Sequence, residues 1–583
     1  QVDVPPCRGS VRACASSRCS SGRSRWPLRY RIWAEQEALP LSRQLVKAPT
    51  AAKPLSGAML PSYGGERRRA GAAEGAGREV LVLTHQGAIY PSAWERFAPY
   101  LAEFVGTFLL TLTYIYNYSA SRSSVWTATS NGLMVVALMY ALGHVSGANL
   151  NPSVSVALML VGRHSPRVAA RLCLSQTLGA ISAAVVRLMF FSGSVDIGPQ
   201  KGFTWGAVIT IELLYSAMIC FVYLNCAASM KNNPVAAQNG FVGLAVGFSF
   251  VAGGYAAREV SNSVMNTAIA VGLGVVDCKE GFTARALFYI FADFFGAFIG
   301  AGAYRIVRPD EDPNQSESRR DLSERKRQDG NSGKVAAEFF GTFFIIFTKA
   351  LNRMGSAAEE GVGPEAWSVA AVLTSMVYSL RGVSGAYFNP AVTLAAVVSG
   401  RSTCERHVAL FYVVAQFFAA VSAASLFSLL NHGQPIPLEY RSSQQSYGAK
   451  IFAETAFSFL ITYVVLASSV SRSELASPSK QDAPSGEKVS GTLPNNDVAG
   501  FMYGACHTAG GFAAGHISGA MLNPAVVFSF CGMSALTGRF EGAVWAYALY
   551  HLFGALLATG VFALTHAGLY RQVDDEGDKE AVA

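Results

Sequence analysis

Four asparagines head short apolar stretches, and each follows a glutamate set inside an apolar run: Glu103 then Asn151, Glu212 then Asn266, Glu338 then Asn389, and Glu454 then Asn523. Two of the four read Asn-Pro-Ala, as Asn389-Pro390-Ala391 and Asn523-Pro524-Ala525; the others read Asn151-Pro152-Ser153 and Asn266-Thr267-Ala268. Proline suits the first turn of a helix, where its missing N–H has no partner to lose and its φ is already set. The stretches behind these prolines are too brief to cross a membrane. Each helix N-terminus carries roughly half a positive charge and unpaired backbone N–H groups. Where two such half-helices enter a bilayer from opposite faces and meet, the asparagine amides line a narrow waist. A water or hydroxyl can accept hydrogen bonds there, whereas a cation meets a positive field. One Asn-Pro-Ala alone marks a plain turn equally well; four related motifs, each behind a membrane glutamate, point to the waist. The glutamates have a matching task. Carboxylates in lipid need partners, and re-entrant loops have non-helical N–H groups to satisfy. Snorkelling of these side chains to the lipid edge is the plainer alternative.

The elements that must position these residues are apolar segments of helical length. They run near 100–118, 130–146, 168–192, 206–227, 240–255 and 283–307, and again near 334–351, 367–382, 406–431, 449–470, 498–512 and 542–567. Several approach the ~20 residues that cross ~30 Å of hydrocarbon, and the shorter ones are rich in Gly, Ala and Ser, which lets helices pack closely. Twelve spans are predicted. Of the 583 residues, 51% are hydrophobic and 14% charged, against roughly a quarter charged in ordinary soluble domains. The expected fold class is an all-α, multi-pass membrane protein.

The two halves repeat one another. AEFVGTFLL (102–110) matches AEFFGTFFI (337–345), and VSGANLNPSVSVA (145–157) matches VSGAYFNPAVTLA (383–395). Each half also repeats internally, and three spans separate the two copies, an odd number, so the second copy is inverted in the bilayer. The predicted organisation is a basic, disordered tail (1–96), a first unit (97–307), a charged linker (308–333), a second unit (334–568) with a polar loop at 471–497, and a C-terminal tail (569–583). Ser477 and Ser479 in that loop are candidate phosphorylation sites.

The net charge of +8 is confined to the tail, whose residues 1–96 hold 15 Lys+Arg against 7 Asp+Glu. The rest of the chain is neutral, so no nucleic-acid partner is expected. The Arg/Ser-rich opening reads as a targeting segment or as translated sequence upstream of the true start. Tail and linker place both termini on the cytoplasmic side by the positive-inside tendency. The scattered cysteines form no close pair and read as buried free thiols. No nucleophile–base pair, phosphate loop or metal cluster appears, so neither an enzyme nor a cofactor or metal is expected. Asn117-Tyr118-Ser119 is a glycosylation triplet close to the membrane.

Taken together, these motifs resemble the major intrinsic protein family of aquaporins and aquaglyceroporins, twice in tandem over about 98–568. HVSGANLNPSVSVA (144–157) and HISGAMLNPAVVFS (516–529) are similar to the family's first-half signature. SQTLGA (175–180) and AQFFAA (415–420) look like its third-span motif, and ADFFGA (292–297) and YHLFGA (550–555) like the sixth-span counterpart. The resemblance implies six tilted helices plus two re-entrant half-helices per unit, one pore in each, and tetrameric assembly. Two chains would supply the four units, as a dimer. It also implies a passive channel for water and small uncharged solutes of the glycerol, urea or ammonia class. A twelve-span secondary transporter, which also uses inverted repeats and broken helices, and a non-conducting structural relative are the alternatives.

Family channels generally carry an arginine three residues after the second asparagine; here those positions are Ile269 and Val526. The aligned constriction positions are Asn131, Gly254 and Ser263 in the first unit, and Val369, Gly511 and Ala520 in the second. Neither set holds an aromatic or a charge. An arginine ~8 Å from the pore axis would repel a cation by ~2 kcal/mol at an effective dielectric of ~20, about thirtyfold in permeation. Weakened cation exclusion and a wide, weakly polar mouth are therefore expected in both units. A second expectation is that the units differ, the first being specialised or closed, because of Thr267 and Asn131. Asp293 and His551 occupy matching sixth-span positions; His551 is a candidate pH sensor or a packed helix residue. His144 and His516 are expected to brace the loops.

Overall fold

A computed structural model describes residues 93–567 apart from 120–125, 191–196, 235–237, 277–281, 312–330, 355–361, 401–404, 438–445, 470–495, 537 and 539–541. All described residues fall in one compact unit. In the first half, α1 (Ala93–Ser119), α2 (Thr127–Ser146), the short α3 (Pro152–Leu160) and α4 (Pro166–Phe190) precede α5 (Trp205–Tyr223), α6 (Val242–Ser261), the short α7 (Thr267–Val276) and α8 (Phe282–Val307). The second half repeats the series with α9 (Ser332–Leu351), α10 (Val362–Ser384), the short α11 (Pro390–Val398) and α12 (Arg406–Leu430). It ends with α13 (Tyr447–Ser468), α14 (Asn496–Ser518), the short α15 (Pro524–Leu536) and α16 (Gly542–Thr565). The chain is thus an all-helical membrane protein of two tandem units, each with six long helices and two half-helices.

Several boundaries move. α1 begins at Ala93, inside the expected tail, and α14 begins at Asn496, inside the expected polar loop. The rest of the tail, residues 1–92, most of the linker and loop, Ser477, Ser479 and the C-terminal tail lie outside the described residues. The start of the linker is not a plain solvated segment. Pro309–Glu311 forms a 3-10 turn, and Glu311 accepts from Ser229 Oγ at 2.6 Å, Met230 N at 2.8 Å and Tyr304 Oη at 3.0 Å. Arg163 and Arg308 close the same knot at 3.2 and 3.5 Å. Asn117 lies within α1, and its amide nitrogen donates to Ser130 Oγ at 3.0 Å and Asn131 Oδ1 at 2.7 Å; the glycosylation reading fails because that nitrogen is engaged in packing.

Among the described residues, eight of the helices are long and apolar enough on their own to cross a membrane; α6, α9, α10 and α14 are not among them. For three of the four the reason is position. α5 and α6 of the first unit pack against α9 and α10 of the second, so these helices face protein rather than lipid and tolerate polar residues. Along that seam Tyr215 and Thr348 share a hydroxyl hydrogen bond at 3.0 Å, and Trp367 Nε1 donates to Thr129 Oγ1 at 3.0 Å. Ser375 Oγ donates to Ala245 O at 2.8 Å. Phe241 stacks on Tyr378 with ring centroids 4.5 Å apart. α8 and α12, by contrast, turn Phe291, Phe298, Leu410 and Phe418 outward, as lipid-facing helices do.

Within a unit the long helices cross closely at small residues. At the α2–α6 crossing Gly132 and Gly247 face each other, and a Cβ on either would stand 2.7 Å from the other's carbonyl oxygen. Gly132→Ala is therefore expected to lower the thermal midpoint of the detergent-solubilised protein, at an overpacking cost of about 1–3 kcal/mol. Gly560→Ala, where an added carbon meets nothing within 4 Å, is expected to leave that midpoint unchanged or to raise it.

Candidate functional site

The half-helices start as their sequences dictate. Asn151 and Asn389 are extended N-caps with proline at the first helical position, and all four asparagines use the side-chain oxygen as a cap. Oδ1 of Asn151 accepts from Ser153 N at 3.0 Å, and Oδ1 of Asn266 from Ala268 N at 3.0 Å. Oδ1 of Asn389 and of Asn523 accept from Ala391 N and Ala525 N, both at 2.9 Å. Thr267 lacks proline's preset φ, yet the cap on α7 forms all the same.

The amide nitrogens then cross to the opposing loop. Asn151 Nδ2 donates to Met265 O at 3.0 Å and Asn266 Nδ2 to Leu150 O at 2.9 Å. In the second unit Asn389 Nδ2 donates to Leu522 O at 3.0 Å and Asn523 Nδ2 to Phe388 O at 2.9 Å. Two half-helices thus meet head to head in each unit. An amide nitrogen carries two N–H groups, and each reciprocal pair uses one of them on each asparagine. In the first unit Ser153 and Thr267 add a hydroxyl bridge of 2.6 Å between the two helix starts. Asp293 accepts from Ser216 Oγ at 2.6 Å and Thr267 Oγ1 at 3.4 Å.

What holds these loops is the same knot four times over. The residue before each asparagine sits at a left-handed φ: Leu150 at 52°, Met265 at 45°, Phe388 at 52° and Leu522 at 54°, conformations that bulky residues rarely adopt. The glutamates secure them. Glu103 accepts from Ser146 Oγ at 2.7 Å and from the backbone N–H of Asn149 and Leu150, both at 2.8 Å. Glu212 does likewise with Ser261, Val264 and Met265, Glu338 with Ser384, Tyr387 and Phe388, and Glu454 with Ser518, Met521 and Leu522. All four carboxylates are fully buried, so they are not at the lipid edge. Three take a further partner from a neighbouring span: Gln176 at 2.7 Å, Gln416 at 2.9 Å and His551 at 2.7 Å. His551, wholly buried against Glu454, is the packed helix residue. His144 and His516 are exposed; the serine two residues beyond each of them does the bracing assigned to the histidine.

The aligned constriction positions of the two units have different surroundings. In the first unit Ser263 Oγ donates to Gly254 O at 3.0 Å, Asn131 is bonded to Asn117, and Tyr114 Oη donates to Asn262 O at 3.0 Å. Tyr118 packs on Tyr114 at 4.5 Å. Ile269 is buried beside them. In the second unit Val369, Gly511 and Ala520 line one cavity, as aligned, and with them stand Lys349, Glu365 and His507. Val526 is buried. A second cavity, bordered by His507, Tyr387, Asn389 and Asn523, continues to the waist. The expectation that neither mouth holds a charge is therefore corrected for the second unit. Lys349 Nζ pairs with Glu365 and donates to Ala520 O at 3.1 Å. Arg353 holds the same carboxylate at 2.7 and 3.1 Å, donates to Gly519 O at 2.9 Å and lies 5.0 Å over the Phe530 ring. Alignment from the asparagines missed these groups because no aligned constriction position falls on or just after α9, which brings Lys349 and Arg353, and because Glu365 lies one turn before Val369 on α10. A signal was present: Lys349 and Arg353, two cations, stand four residues apart at the end of an apolar run. An ionisable group at membrane depth points to function in its own right.

Re-entrant half-helices capped from opposite sides by asparagine, inside a bundle of long apolar helices, define an integral, multi-pass membrane protein with a central polar waist in each unit. The Major intrinsic protein family profile matches residues 92–304 and 324–483, more than half of the chain, and the chain belongs to this family, as tandem units. The family consists of channels for water or small solutes rather than enzymes. Among relatives, Aquaporin NIP1-4 of Oryza sativa subsp. japonica is 33% identical over 215 residues, covering 36% of this chain and 76% of the relative. Aquaporin Z of Rhodopseudomonas palustris is 29% identical over 237 residues, covering 36% of this chain and 93% of the relative. The solved aquaglyceroporin from Plasmodium falciparum aligns with a TM-score of 0.32 at 16% identity, over 37% of this chain and 98% of that one.

The knots generate a graded expectation. Glu338→Ala strands two buried backbone N–H groups, each costing about 1–3 kcal/mol, and is expected to abolish recovery of folded protein from membranes. Ser384→Ala removes one donor to the carboxylate and the acceptor of Ala386 N, and is expected to lower stability by about 1–3 kcal/mol, less than the loss of the carboxylate. Thermal unfolding of the purified variants separates the two; equal losses would show that the carboxylate is not the anchor.

Proposed function

We propose that the chain is a passive channel with two pores, within residues 97–307 and 334–568, each passing water and small uncharged solutes of the glycerol, urea or ammonia class. The observation that carries this reading is the pair of reciprocal asparagine bridges at each of the two waists. Small residues at the constriction positions, Gly254 and Ser263 in one unit and Gly511 and Ala520 in the other, support passage of molecules larger than water. The aligned positions support a difference between the units, with Asn131 and Ser263 in the first and a Lys349–Glu365 pair beside Val369, Gly511 and Ala520 in the second.

Both termini belong on the cytoplasmic side, consistent with an even number of spans and a basic tail. The partners are the bilayer and a second copy of the chain. The seam joins α5 and α6 of one unit to α9 and α10 of the next, which leaves α1 and most of α2, the counterparts of α9 and α10, at one end and α13 and α14, the counterparts of α5 and α6, at the other. Repeating the same contact between two chains closes a ring of four units, so the assembly is a dimer.

Proteoliposomes in stopped-flow are expected to respond to water, glycerol, urea and ammonia gradients faster than empty vesicles, without saturation and without an ion gradient. Val369→Trp is expected to slow glycerol by filling the second mouth while leaving the flux carried by the first. Water flux with exclusion of every larger solute would overturn the solute assignment. Saturable, ion-coupled flux would establish a carrier, and an assembled protein with no flux a structural one.

A further inference from the structure

We propose that His507 sets the solute preference of the second pore, by offering Nε2 as a hydrogen-bond acceptor in the apolar stretch between the constriction positions and the asparagines. The proposal rests on the channel reading and names the solutes this pore favours: those that carry an O–H or N–H. Its geometric basis is that His507 borders both cavities of the second unit. It lines the outer one with Val369, Gly511 and Ala520 and the inner one with Asn389 and Asn523. Among the described residues, His507 alone is common to the two.

His507 stands one turn before Gly511 on α14. Its Nδ1 lies 3.4 Å from the carbonyl oxygen of Tyr503, a turn earlier on the same helix. A carbonyl can only accept, so Nδ1 is the donor there, and Nε2 of the neutral ring keeps its lone pair. Nε2 has no hydrogen-bond partner among the described residues, and the side chain is half-buried. Neighbouring polar groups have partners of their own. Lys349 pairs with Glu365, and the Tyr503 hydroxyl shares a hydrogen bond with Ser468 at 3.1 Å. Asn389 Nδ2 and Asn523 Nδ2 donate to the opposing loops. The inner cavity is otherwise walled in part by Ile345, Leu373, Ile461 and Val465, which give a solute nothing in exchange for its water. A donor group that enters this stretch is costly to leave unpaired, and Nε2 is an acceptor on its path. At the matching position, four residues before Gly254, the first unit has Phe250. That ring is buried and carries no such acceptor, so the preference belongs to one pore only.

A histidine that only filled space would act through size and not through hydrogen bonding, and this separates the two roles. In proteoliposomes of the full chain, the part of each flux that Val369→Trp removes belongs to the second pore. That part is expected to be several-fold larger for acetamide than for dimethyl sulfoxide, a solute of similar size that accepts hydrogen bonds but donates none. His507→Val and His507→Gln both introduce side chains no larger than an imidazole, and only glutamine retains an acceptor. His507→Val should lower the acetamide-to-dimethyl sulfoxide ratio by about three- to tenfold, the factor that one neutral hydrogen bond is worth. His507→Gln should preserve it. An unchanged ratio in His507→Val overturns the proposal, as does an equal fall in His507→Gln. A parental second pore that passes both solutes alike overturns it without any His507 variant. Water flux that Val369→Trp leaves untouched would instead sink the second pore of the channel reading.

Discussion

A buried carboxylate that accepts two backbone N–H groups and one serine hydroxyl is the interaction on which the rest of this molecule depends. A loop cannot turn back within a membrane unless its freed backbone groups find partners, and the residue before each asparagine adopts a conformation that is costly outside glycine. The glutamate meets both demands. Once it is in place, the asparagine side chain can be spent elsewhere, its oxygen on the helix cap and its nitrogen on the opposing loop. Everything polar at the two waists follows from that arrangement.

The repeated glutamate and asparagine positions made the half-helices legible, because intramembrane carboxylates and Asn-Pro starts are rare enough in apolar runs to carry meaning. The spans were legible for the same reason that they fold: long apolar helices have only a bilayer or each other to face. What escaped was set by packing between distant segments. Lys349 and Glu365 are sixteen residues apart in sequence and belong to different helices, and the lysine also reaches a loop some 170 residues further on. Glu311 escaped similarly, since a carboxylate in a polar linker looks solvated until the loop at Ser229–Lys231 folds over it. The histidines before Ser-Gly-Ala drew attention away from the serines, whose hydroxyls are small enough to reach the carboxylates inside the turn.

The seam between units explains a feature of composition that hydropathy alone misreads. A helix covered by protein can exchange apolar side chains for serines, tyrosines and an asparagine, provided that each finds an acceptor across the contact. α6, α9 and α10 do so, with Ser368 Oγ donating to Ala252 O at 3.2 Å and Thr348 sharing a hydroxyl hydrogen bond with Tyr215 at 3.0 Å. These polar contacts specify the register of one unit on the other more tightly than a greasy surface would. They also bury the mouth residues of the second unit near the middle of the chain, away from lipid.

Covalent fusion changes what a single substitution can do. In an assembly of identical one-unit subunits, any replacement at an entrance is copied into every pore at once, and a harmful one has no untouched neighbour to cover for it. With both lobes on one polypeptide, Tyr114 in one unit and Lys349 at the matching position of the other can diverge independently while the shared chain keeps their number equal. The two units are thereby held in a fixed one-to-one ratio, without a second gene or regulated mixing of subunits.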